Sequence, residues 1–146
     1  MYCFYNPLEL SDEQKLVYIK LLVYLAQTDN ASAVMERTFI KKTIVQMKID
    51  PKSLHDLSVP VTNDDLYSAL LPINGRFMAI DLLHRLWYAA SIDENFADEE
   101  IELIQKIAKI LDIDEDTILK IGNFVVDETN FFAQVKDIFE TDNVRC

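Results

Sequence analysis

Shifted against itself by 64 residues, the chain matches without a gap: Leu22, Tyr24, Ala26, Asp29, Ala33, Glu36, Ile40, Lys42, Ile49 and Asp50 meet Leu86, Tyr88, Ala90, Asp93, Ala97, Glu100, Ile104, Lys106, Ile113 and Asp114. Ten of 29 positions agree, where ordinary composition gives roughly two or three by chance. Common apolar register accounts for the leucines and isoleucines, but not for the coincident Asp, Ala and Glu. The match points to two copies of one unit, each a helix, a turn, a second helix and an Asp-capped short helix. Residues 22 to 50 are expected to superpose on 86 to 114 by a rotation near two-fold.

The unit is helical because glycine is scarce and apolar residues recur at spacings of three and four. Ser11 with Gln14 and Thr62 with Asp65 read as capping boxes that open helices. Asp50-Pro51 opens a short helix, Pro72 stops one and Asn74-Gly75 turns the chain. The expected core faces include Leu16, Ile19 and Leu22; Phe39, Ile40 and Met47; Phe77, Ile80, Leu83 and Trp87; and Ile101, Ile104 and Ile107. A short helix is expected to finish around Gly122. A last one starts at Asp127 and turns Phe131, Val135, Ile138 and Phe139 inward. His84 aligns with Lys20, which predicts a surface position. The fold class is all-α, a single compact bundle of about seven helices within one domain, residues 1–146. Repeat 1 spans about 11–57, a linker and helix 58–75, repeat 2 about 76–122 and a C-terminal helix about 127–140.

Composition removes several function classes. Acidic residues number 25 against 14 basic ones, a net charge of -11, which opposes nucleic-acid binding and favours a basic protein partner or a metal cation. Gly75 and Gly122 are the only glycines, so neither a phosphate-binding loop nor a dinucleotide fingerprint can be written. His55 and His84 lack zinc spacing. No nucleophile elbow occurs and neither Cys3 nor Cys146 has a nearby His, so the chain reads as no enzyme. The Asp112–Asp116 run begins like a calcium loop, but Thr117 and Asn123 stand where glycine and glutamate are required. No signal peptide or membrane span is legible, and the cysteines form no disulfide framework, so a cytoplasmic setting is expected.

In each repeat an Asp closes the first helix and a Glu follows seven residues later: Asp29 with Glu36, and Asp93 with Glu100. Converging carboxylates would recruit a hard divalent cation, Ca²⁺, Mg²⁺ or Mn²⁺. The plainer reading is that both glutamates stabilise a helix N-terminus while both aspartates bond turn amides.

The pattern of apolar helix, Ala-x-x-Asp, turn, and Glu seven residues after the Asp resembles the TerB-like family, which includes tellurite-resistance proteins and the amino-terminal module of a DnaJ-like co-chaperone. The family signature, approximately Ala-Asp-Gly, two residues, Ser, two residues, Glu, is matched loosely by Ala26 to Glu36 and by Ala90 to Glu100. Asn30 and Glu94 replace its glycine, and Ala33 and Ala97 its serine, as in a divergent member. The resemblance covers about residues 12 to 120. It implies a compact helical domain with internal two-fold symmetry and no established catalytic activity. It further implies a stress-response adaptor role, with metal chelation at Asp29, Glu36, Asp93 and Glu100. The alternative is an acidic helical interaction module that takes a basic partner without metal.

Overall fold

The computed structural model describes residues 5–28, 33–55, 57–92 and 98–139. They form six α-helices: α1 (Asp12–Thr28), α2 (Ala33–Gln46), α3 (Asn63–Leu70), α4 (Gly75–Ser91), α5 (Asp98–Ile110) and α6 (Glu115–Phe139). Short 3-10 turns occupy Pro7–Glu9 and Pro51–Leu54, and there is no strand among the described residues. The helix starts follow the caps. Ser11 Oγ accepts from the Gln14 amide at 3.1 Å while Gln14 Oε1 accepts from the Ser11 amide at 2.9 Å. Thr62 and Asp65 form the same reciprocal box, and Asp50 caps the turn begun by Pro51. Each box satisfies two amide donors that a bare helix end would leave open.

One backbone turn is shared in detail by segments 64 residues apart. Helices α2 and α5 both end in a Schellman motif. Ile49 N–H donates to Ile44 C=O and Lys48 N–H to Val45 C=O; at the positions 64 later, Ile113 N–H donates to Ala108 C=O and Asp112 N–H to Lys109 C=O. Lys48 and Asp112 carry the positive φ that the motif requires, 53° and 60°. Neither is glycine, so each turn holds an L-residue in a conformation costing roughly 1–2 kcal/mol. Apolar Ile49 and Ile113 stand just beyond, where this motif places a hydrophobic contact.

The two segments differ after the turn. Asp50 leads into one 3-10 turn, whereas Asp114 leads into the 25-residue α6. The helix break expected at Gly122 is absent. An ideal Cβ at Gly122 would lie 2.8 Å from Trp87 Cζ2 and 2.9 Å from Cε2, so this glycine lets α6 cross closely over the indole instead of ending a helix. The lone glycine marks close packing and not punctuation.

Helix α4 is the axis of the bundle. It contacts α1, α2, α5 and α6, and its middle turns are buried on every side: Met78, Ala79, Asp81, Leu82, Leu83, His84, Arg85 and Leu86. The core around it takes Tyr18, Leu21, Leu22 and Leu25 from α1, Met47 after α2, Leu66 and Leu70 from α3, and Ile104, Ile107 and Ala108 from α5. Ile40, Ile80 and Trp87 pack against this core while partly exposed. Phe77, expected inside, is 61% exposed in the first turn of α4, where its ring meets Tyr5 at the margin of the bundle.

Candidate functional site

Glu36 and Glu100 both lie in the first turn of their helices, where the N-terminal dipole favours a carboxylate. Both are also buried, at 2% and 0% exposure, which surface capping does not require. Asp29 and Asp93, the other members of the expected metal set, lie outside the described residues, as do Cys3 and Cys146. Among the described residues, no group of three or more His, Cys, Asp or Glu side chains is arranged to hold a metal. Asp114, from the failed calcium-loop pattern, accepts the Thr117 hydroxyl and lies 3.8 Å from Arg76. These contacts hold its carboxyl below the usual range, the threonine bond first.

The structure reveals a polar cluster that periodicity concealed. From α4, Asp81, His84 and Arg85 stand at positions i, i+3 and i+4, all within 2% of full burial. The Tyr18 hydroxyl donates to Asp81 Oδ2 at 2.7 Å, and Arg85 Nε lies 3.7 Å from the same oxygen. The guanidinium also sits over the Tyr18 ring, 5.7 Å from its centroid. Burial pushes Asp81 above the ordinary carboxylate range; Arg85 and then the Tyr18 hydrogen bond oppose that rise. Burial and then the Asp81 charge push Tyr18 upward, so it stays the donor.

One turn along α4 from Asp81, His84 Nε2 and Glu128 Oε1 are 2.9 Å apart with both side chains buried. His84 is therefore no surface residue, contrary to its alignment with Lys20. The expectation failed because α4 has no solvent face at this level. A helix hydrophobic on one stripe can be read from spacing, but one enclosed all round buries whichever polar residues it carries. Each then needs a partner from another helix, and Tyr18 and Glu128 supply them.

The clefts beside this cluster are modest. One of about 220 Å³ between α4 and α6 is lined by Ile80, His84, Thr117, Lys120, Ile121 and Phe124, below the usual 300–1,000 Å³ of small-molecule sites. A shallow groove of about 450 Å³ runs past Tyr67, Leu71, Arg76 and Asp112. Its charged side chains, Arg76 and Asp112, do not form an acid–base pair of the kind general catalysis uses.

The largest departure from expectation lies at the end of α6. The last buried residue of that helix is Glu128. Beyond it Phe131, Ile138 and Phe139 are 60%, 73% and 68% exposed, and Phe132 and Val135 are only partly covered. These residues were expected in the core because their spacing is that of a core face. The periodicity is real, but the bundle supplies no described helix for that face to lie against. The Phe131 and Phe132 rings instead meet edge to face, with centroids 5.4 Å apart.

No family model, no curated protein and no solved structure matches this chain.

Proposed function

We propose that this protein is a non-enzymatic, TerB-like adaptor of the stress-response type, working through protein contacts. The two units are read as related by a rotation near two-fold, in keeping with their equivalent Schellman turns. The observation that carries the reading is the exposed apolar end of α6, a surface of the size and aromatic content typical of contact sites. The buried charges serve the scaffold: Asp81 meets Arg85 within α4 and accepts from Tyr18 of α1, and His84 meets Glu128 of α6. The acidic surface would set partner choice by repelling polyanions and favouring basic surfaces. The test is a hydrophobic dye that fluoresces on exposed apolar surface. Native protein should enhance its emission, and Phe131→Asp with Ile138→Asp should remove most of that enhancement while the circular dichroism stays helical. An unchanged signal would show that the end of α6 is no contact surface.

A second reading is favoured by one observation, that Glu36 and Glu100 are buried at equivalent repeat positions. Together with Asp29 and Asp93 they would hold Ca²⁺, Mg²⁺ or Mn²⁺, hard cations that take carboxylate oxygens. Under this reading Ca²⁺ or Mn²⁺ raises the Tm of the apo-protein, and Asp29→Asn with Asp93→Asn abolishes the rise. An unchanged Tm at millimolar ion removes the metal and leaves the basic partner as the working alternative.

A further inference from the structure

The projecting end of α6 has a chemical character that selects its occupant. Phe131, Val135 and Ile138 follow one another at intervals of four and three, and Phe124 stands seven before Phe131, the spacing of a helix-pairing seam. Phe132 and Phe139, also seven apart, widen that seam on the side that packs on α4 through Ile121, Val125 and Glu128. No charged side chain lies within the exposed stripe. On a regular helix its borders are Asp127 and Gln134 on one side and Thr129 and Lys136 on the other, one acid and one base. Between Phe131 and Phe139 the charged residues are Lys136 and Asp137, one of each sign, so in a chain of net charge -11 two copies meet along this stretch without strong like-charge repulsion. A strongly basic partner would find its complementary charge elsewhere, as along the acidic first turn of α5.

The available area fits the same occupant. Phe131, Ile138 and Phe139, at 60–73% exposure, offer about 400 Å² of apolar surface, taking roughly 150–250 Å² for each large side chain. Doubled across a two-fold axis and extended by Phe132, Val135 and Gln134, this approaches the lower end of the ~1,200–2,000 Å² of stable interfaces. It suits a reversible dimer. A face used identically by both partners also needs only self-complementarity, which an uncharged aromatic stripe provides.

We propose that the end of α6 is a self-association surface, and that a second copy of this chain lays its own Phe131–Phe139 stripe against it. The proposal rests on reading that stripe as a contact surface, and its test separates the two ideas. Sedimentation velocity of the full chain across a dilution series should show a monomer of 16.9 kDa passing to twice that mass in the micromolar range. Phe131→Asp with Ile138→Asp should weaken the dimer at least tenfold, and the milder Phe131→Ser should weaken it while keeping the Tm measured at dilution. Tyr67→Asp, an exposed aromatic on α3, should leave it unchanged. A dimer that survives the α6 changes overturns the proposal, because its interface lies elsewhere. A native protein monomeric to hundreds of micromolar overturns it too. If that monomer still enhances the dye through Phe131 and Ile138, the contact surface stands and takes a different protein. If it does not, the stripe is covered by the chain itself and both readings fall.

Discussion

Asp81 shows what a single buried side chain can decide. Its carboxyl is raised by burial, against the pull of Arg85 and of the Tyr18 hydrogen bond. The folded chain therefore holds this proton more tightly than the unfolded chain, whose value is near about 4. The associated stability is fully present below that range and is lost as pH rises through the raised folded value. Urea midpoints taken upward from about pH 4 should accordingly fall more in the native protein than in Asp81→Asn, which has no proton to lose. Arg85→Met should cost about 3–5 kcal/mol at neutral pH, since it strands a buried carboxylate. That cost should shrink toward acid, where Asp81 protonates. A cost independent of pH would show that Arg85 matters for its packing and not for its charge. None of this was legible in the sequence, because Tyr18 and Asp81 are 63 residues apart and on separate helices.

Among the elements, the turns that end α2 and α5 match while the helices that follow them differ. Lys48→Gly and Asp112→Gly each relieve a left-handed L-residue, so each should raise stability, by about 0.5–1 kcal/mol in chemical denaturation. Equal gains would show that the two turns carry the same strain; a loss at either would mean its side chain contributes more than the strain takes away. Gly122 behaves oppositely. Alanine there favours helix by about 1 kcal/mol, but its Cβ would fall 2.8 Å from the Trp87 ring, and such overpacking costs typically 1–3 kcal/mol. Gly122→Ala should thus destabilise and shift the emission of Trp87, the single tryptophan. In a Trp87→Leu background the same change should be neutral or stabilising. The caps at Ser11, Asp50 and Thr62 were readable because they depend on neighbours a few residues apart. The role of Gly122 was not, because its constraint comes from another helix.

At the scale of the molecule, the core ends well before the last helix does. Ile104→Ala should cost about 2–5 kcal/mol, as expected of a fully buried isoleucine. Phe131→Ser or Ile138→Ser, measured in dilute protein, should each change stability by no more than about 0.5 kcal/mol despite their similar spacing in the sequence. If these changes proved as costly as Ile104→Ala, the end of α6 would be part of the core. The contrast is between apolar periodicity, which says that a face exists, and tertiary structure, which says what lies against it.

By itself the sequence determined the all-helical class, the capping boxes at Ser11 and Thr62, the cap at Asp50 and the stop before Pro72. All of these are set by propensity, hydrogen bonding and apolar spacing within a few residues of one another. Only the tertiary structure decided that α4 is enclosed on every side and so buries Asp81, His84 and Arg85. It also decided that α6 runs unbroken over Trp87, and that Phe131, Ile138 and Phe139 emerge into solvent. Those outcomes depend on which helices become neighbours, and two helical faces with the same pattern are alike in sequence until a partner covers one and leaves the other bare.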